Sequence, residues 1–203
     1  MREGILGGSF DPVHHGHLHI ARACVARLAL DRLLLMPARI PPHKMGRPMT
    51  DATHRLAMIR LAIADESRID VSTLELDREG TTYTVDTIRA LLDREDAPDE
   101  LFFIVGADQA LELPTWRTID ELARLCTIVP VARAGICLDC LDDLTGKLPD
   151  DVVARLKSAA LDVPPVDVSS TQIRERIRAG KPVDALVTPA VAAYIDEHGL
   201  YRD

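Results

Sequence analysis

The densest chemistry in the sequence lies in one turn near its start, Gly7-Gly8-Ser9-Phe10-Asp11-Pro12-Val13-His14-His15-Gly16-His17. Imidazoles hold anions, pass protons or ligate metals near neutral pH. Two glycines directly after a strand-like run let a ligand approach the backbone, and the helix that follows offers N–H groups to an anion. His14 and His17 flank Gly16 at the mouth of that helix, so both rings can address one phosphate. The spacing is not the G-x-G-x-x-G of dinucleotide binding. On these residues alone two other readings stay open. One is a histidine-rich solvated turn. The other is a metal cluster of His14, His15, His17 and His19, with Asp11 as the one carboxylate close in sequence. Further along, Ser169-Ser170-Thr171 with Arg174 one turn later reads either as helix capping or as an anion site with a guanidinium beside it. Cys137 and Cys140 have C-x-x-C spacing without a second pair, which reads as two ordinary thiols.

The elements that must position these residues alternate along the chain. Glu3 to Leu6 reads as a strand, and His17 to Leu28 as a helix with Ala21, Cys24, Val25 and Leu28 on one face. Arg32 to Met36 is a short apolar run stopped by Pro37, as expected of a strand buried on both faces. A proline-rich loop to Pro48 leads to an N-cap at Thr50 or Asp51 and a helix carrying Leu56, Ile59 and Ile63. Ile69 to Leu76 alternates as a strand, and Val85, Ile88, Leu91 and Leu92 mark a helix. Leu101 to Val105 and Thr127 to Val131 are further strands. Residues 134 to 151 are acidic and loop-like, followed by a helix from Val152 to Ala160 and a short strand near Val163 to Val168. Two closing helices begin at Ser169 or Ser170 and near Pro189, the second stopping at Gly199. Strands separated by helices predict βαβ units and a mostly parallel sheet covered on both faces.

The opening turn resembles that of the H-x-G-H nucleotidyltransferases, specifically the nicotinate-nucleotide adenylyltransferases. Later segments are similar in the same order: Pro41-Pro42-His43-Lys44, Thr82-Tyr83-Thr84, Gly106-Ala107-Asp108, Pro114-Thr115-Trp116, Val168 to Arg174, and Tyr194 to Tyr201. The resemblance runs from residue 4 to residue 201, and the opening and the S-S-T-x-I-R segment are its specific parts. The sequence departs from the family's pattern at His15, Arg117 and Ala134. The resemblance implies an α/β, Rossmann-like, doubly wound fold with a small C-terminal helical portion (about 165–203) inside one domain spanning 1–203. It implies transfer of the adenylyl group of ATP to nicotinate mononucleotide, releasing pyrophosphate. His14 and His17 would then be catalytic, holding the α-phosphate and the charge that develops on it. Gly8, Ser9, Phe10, His43, Lys44, Ser170, Thr171 and Arg174 would bind ATP. Tyr83, Thr84, Gly106, Asp108, Trp116, Arg117 and Arg133 would serve the nicotinate mononucleotide side, Asp108 through a ribose hydroxyl or toward the adenosine. Mg²⁺ is expected to arrive with ATP, with no dedicated protein ligand.

Composition fits that chemistry. With 24 Lys+Arg against 32 Asp+Glu the net charge is −8, which argues against a nucleic-acid partner but not against a small phosphate ligand held by local donors. An apolar content of 47% excludes disorder, and no run approaches the roughly 20 residues of a membrane span. Four cysteines and no signal-peptide pattern lead us to expect a cytoplasmic protein with reduced thiols, monomeric or homo-oligomeric. Two rivals remain: a pantetheine-phosphate adenylyltransferase-like enzyme, and a non-enzymatic metal binder built on His14 to His19.

Overall fold

A computed structural model describes residues 1–39, 49–78, 80, 82–132, 138–164 and 166–202. Five parallel strands form one sheet among these residues, β1 (Arg2–Gly8), β2 (Arg32–Pro37), β3 (Ile69–Val71), β4 (Glu100–Gly106) and β5 (Thr127–Val131), in the order β3-β2-β1-β4-β5. The central strand pairs on both sides, Ile5 with Leu34 and with Phe103. Period-2 alternation divides the apolar residues between two cores. Leu6, Leu33, Leu35, Ile104 and Val129 face one side, and Ile5, Leu34, Met36, Phe103 and Ile128 the other. The first side is covered by α1 (His15–Arg27), α2 (Ala52–Ala62), α7 (Ser170–Arg178) and α8 (Pro189–Glu197), through residues such as Leu18, Met58, Ile173 and Val191. The second is covered by α3 (Thr84–Leu92), α5 (Ile119–Leu125) and α6 (Asp150–Ala159), through Ile88, Leu122 and Val152. The fold is thus the α/β, Rossmann-like parallel sheet with helices on both faces that the alternation predicts. A one-turn α4 (Ala107–Ala110) follows β4 directly.

Helix boundaries follow local chemistry. Asp51 caps α2 by accepting from Thr53 N, Ser169 caps α7 by accepting from Gln172 N, and Thr188 caps α8 ahead of Pro189. Three expectations change. β3 ends at Val71, not Leu76: Ser72 N donates to Leu35 O, and the chain then folds into a turn closed by Asp77 N on Thr73 O. The described residues 163–164 and 166–168 form no strand. Pro164 has no N–H to give a ladder, its carbonyl accepts from the ring of His19, and Val168 N turns back onto Val166 O. The acidic stretch after residue 137 contains a 3₁₀ run over Leu138–Leu144 that buries Leu141 and Leu144.

Candidate active site

β1 and β4 lie side by side and their connections leave in opposite directions, which opens a crevice at their carboxyl ends. Gly8 ends β1 and Gly106 ends β4, and everything that follows is built around this crevice. A side chain on Gly8 would press on the ring of Phe10, at 3.1 Å, and Phe10 is itself fully buried in a left-handed conformation (φ 49°). That conformation costs a β-carbon-bearing residue on the order of 1–3 kcal/mol, which the packing around Phe10 must offset.

His14 is the N-cap of α1 and is buried, and His17 sits three residues into the helix. Their rings stack with centroids 3.7 Å apart, and His14 N donates to His17 Nδ1 at 3.3 Å. With Nδ1 accepting, a singly protonated His17 ring carries its hydrogen on Nε2 as a donor. Gly16 is required by closeness: a β-carbon there would lie 3.1 Å from the His14 ring and 3.1 Å from Val168. The four histidines do not converge. His19 is turned to Pro164 O, and among the described residues no group of three His, Cys, Asp or Glu is placed to hold a metal ion.

The C-terminal helices clasp this turn. Ser170 Oγ donates to Pro12 O at 2.9 Å, and Arg174 Nη1 donates to Asp11 O at 2.6 Å while its Nη2 meets Thr171 Oγ1 at 3.2 Å. The Asp11 carboxylate accepts from Tyr201 OH at 2.8 Å and from Thr50 N at 3.4 Å, so it faces the interior rather than the crevice. Burial, reinforced by Asp11, pushes the Tyr201 hydroxyl far above its ordinary range and keeps it a donor.

Three adjoining hollows open from the crevice. The middle one, about 220 Å³, is lined by Gly7, Gly8, Ser9, His14, His17 and Gly106, with Ser170, Thr171 and Arg174 across from them. One flank, about 520 Å³, shares His14, His17 and Ser169 with it and adds Asp108, Val163, Asp167 and Gln172. The other flank, about 260 Å³, shares Gly7, Gly8 and Ser9 and adds Glu75, Tyr83, Thr84, Trp116 and Arg117. In that flank Trp116 meets Phe103 edge-on at 5.9 Å, and the Arg117 guanidinium lies 4.7 Å from the Tyr83 ring centre. Thr84 opens α3 and lines the same hollow with Tyr83 and Thr87. Desolvation pushes the Glu75 carboxyl upward, against the hydrogen bond from Thr87 Oγ1 (2.9 Å) and the charge of Arg78.

Most sequence-chosen residues therefore meet around one crevice, though not in one place. Asp108 lies with the histidines and the C-terminal segment, on the opposite flank from Tyr83, Thr84, Trp116 and Arg117. His43, Lys44, Arg133 and Cys137 lie outside the described residues. Sequence reasoning missed Gln109, which borders both the middle hollow and the Trp116 flank, and Glu75. It also missed Arg55, whose guanidinium is buried under the turn. The signal for Arg55 was present, because it falls in the helical stripe of Met58, Ile59 and Ala62, where a solvated arginine does not belong.

The cytidylyltransferase-like family model matches residues 5–176. A probable nicotinate-nucleotide adenylyltransferase from Thermoanaerobacter sp. is 40% identical over 205 residues, covering 100% of this chain and 95% of its own. One from Roseiflexus castenholzii is 44% identical over 201 residues, covering 99% and 98%. Among solved structures, Plasmodium falciparum nicotinic acid mononucleotide adenylyltransferase complexed with NaAD superposes with a TM-score of 0.74 over 98% of this chain and 97% of that one, at 16% identity. That last likeness speaks for the fold alone, but the matches at 40–44% span the whole site, opening turn and C-terminal clasp included. The chain belongs to the cytidylyltransferase-like family and, within it, to the nicotinate-nucleotide adenylyltransferases.

Proposed function

We propose that the protein transfers the adenylyl group of ATP to nicotinate mononucleotide, giving nicotinate adenine dinucleotide and pyrophosphate. One observation carries this reading: a donor-lined hollow of about 220 Å³ stands between flanks of about 520 and 260 Å³, as a reaction joining two nucleotides through their phosphates requires. The 520 Å³ flank takes the adenosine, with Asp108 near its ribose. The Tyr83–Trp116 flank takes the pyridine, with α3 N–H groups toward its carboxylate.

A phosphate oxygen of the mononucleotide attacks the α-phosphorus of ATP, a new P–O bond forms, and the bond to the β-phosphate oxygen breaks as pyrophosphate leaves. No protein nucleophile is needed, so catalysis rests on position and charge. His14 and His17 hold the α-phosphate and stabilise the charge gathering on its oxygens. Ser170, Thr171 and Arg174, with His43 and Lys44, grip the outgoing phosphates. Among the described residues Asp11 is turned inward, and Asp108 and Asp167 line one flank. Mg²⁺ brought in by ATP would be held by phosphate oxygens and water and would supply charge neutralisation there.

Pyrophosphate release tests this reading. ATP with nicotinate mononucleotide is expected to turn over, while ATP with phosphopantetheine is not; the reverse result would move the protein to the other branch of H-x-G-H chemistry.

A further inference from the structure

Arg55 is the largest side chain fully removed from water in the described structure, with 1% exposure. No ion pair within 4 Å involves it among the described residues, and its guanidinium is spent on backbone. Nη1 donates to Ser9 O at 2.8 Å and to Ala38 O at 2.9 Å, and Nε donates to Thr50 O at 3.0 Å. Burying a cation is costly unless its donors are matched, so a guanidinium placed here must be doing something that a leucine would not. Three segments meet on it: the turn after β1, the end of β2 and the start of α2.

The Ser9 contact has the consequence. A peptide unit is planar, so its C=O and the next N–H point in opposite directions. Holding Ser9 O inward on Arg55 therefore turns the Phe10 N–H outward, away from α2. The carbonyl of Pro12 is held in the same way by Ser170, and that of Asp11 by Arg174. Phe10 needs such support, since its left-handed backbone relaxes without it.

We infer that Arg55 is a positioning residue for catalysis: by anchoring the Ser9 carbonyl from beneath, it aims the main chain of the glycine-rich turn at the phosphates of ATP. It never touches substrate. Its work is done through Ser9 and Phe10, and it rests on the phosphate site lying at this turn, as proposed above. Because the same guanidinium also holds Ala38 and Thr50, the turn shares one anchor with the segments leaving β2 and entering α2.

The test compares Arg55→Met and Arg55→Lys with Met58→Ala, a change on the same helix at a side chain equally out of water. ATP affinity is measured by calorimetry without acceptor, and kcat and both KM values by pyrophosphate release, well below each melting midpoint. Misplacing a reacting group by about 1 Å costs about a hundredfold. Arg55→Met is therefore expected to lose at least about tenfold in ATP affinity and about a hundredfold in kcat, with the mononucleotide KM within about threefold. Arg55→Lys, which keeps charge and donors but not the fork, is expected to fall between it and the wild type. Met58→Ala should melt earlier yet keep ATP affinity and kcat. An Arg55→Met enzyme that behaves like Met58→Ala overturns the inference. Should Arg55→Met fail to fold, Arg55→Lys decides, and wild-type ATP affinity and kcat in that variant overturn it equally. A wild type that binds ATP but does not turn over nicotinate mononucleotide fails the substrate reading instead, and the variants' ATP affinities still decide the role of Arg55.

Discussion

His17 concentrates the chemistry of the site. Its Nδ1 is taken by the His14 N–H, so Nε2 is the atom that can donate to a phosphate oxygen. An interaction stronger in the transition state than in the ground state acts on kcat. His17→Ala is expected to lower kcat at least about a hundredfold with the fold intact, and near-normal turnover would remove His17 from the mechanism. Gly16 gives a subtler variant. A single methyl there presses on the His14 ring and on Val168 together, so Gly16→Ala should cost about tenfold or more in kcat through displacement of His14, with the circular dichroism spectrum unchanged. Unaltered kcat would mean that the ring has room to retreat. These residues were legible in the sequence because the information is local: glycine, histidine and their spacing all lie in one turn. Arg55 showed only as an arginine out of place in an apolar stripe, and its role was not legible, because its partners at Ser9, Ala38 and Thr50 are brought together only by the sheet.

Among the elements, the long strands were the easiest to read. Buried on both faces, β2 and β4 are continuous apolar runs, and β1 is marked by Ile5-Leu6 running straight into two glycines. The short edge strand β3 and the segment at 163–168 misled for one reason: alternation there reports contact with different neighbours, not a shared ladder. Leu74 packs against the second core after the strand has ended, and Val163 and Val168 pack against the first from a loop. That misreading hid Glu75, which the turn after β3 carries into the Tyr83–Trp116 flank. Its consequence is a pH dependence. Desolvation raises the Glu75 carboxyl, Thr87 and Arg78 oppose the rise, and Arg117 stands at the same hollow. A carboxyl that is raised stays neutral to higher pH and becomes an anion only above its shifted value. Once ionised it repels a nicotinate carboxylate more than a nicotinamide. Mismatching the α3 donors with an amide costs about 1–3 kcal/mol, so kcat/KM should favour the acid by at least about tenfold. That preference should be greatest at low pH and decline as Glu75 ionises, whereas Glu75→Gln should hold it level. A wild-type ratio that does not move with pH would show that Glu75 leaves the acceptor's charge unsensed.

Across the whole molecule the parallel sheet separates stability from function by direction. Every strand delivers its carboxyl end to the crevice, so the amino ends are left to hold the fold together. There Glu3, wholly buried, is gripped by Arg32 at 2.6 and 2.8 Å and by Arg94 at 2.6 Å, joining β1, the start of β2 and the chain after α3. Within the cores Cys24 and Cys126 are pushed up by burial to about 12, so of four thiols these two should escape modification at pH 8 until the protein unfolds. Reaction of all four in the native state would contradict the packing of both sheet faces. The clamp makes the sharper prediction. Removing one partner of a buried ion pair leaves the other charges uncompensated, at about 3–5 kcal/mol. Glu3→Ala leaves Arg32 and Arg94, both partly exposed, with Asp96 as their remaining partner, and denaturant unfolding should show a loss at or below the low end of that range. Both KM values and kcat should nonetheless stay within about twofold at 25 °C, because no atom of the clamp lies at the carboxyl end of a strand and a cooperative domain remains folded until its stability is exhausted. A Glu3→Ala enzyme that kept its stability would mean that the pairs are solvated. One that kept its stability but lost turnover would mean that the amino ends of the strands shape the crevice, against the division of labour drawn here.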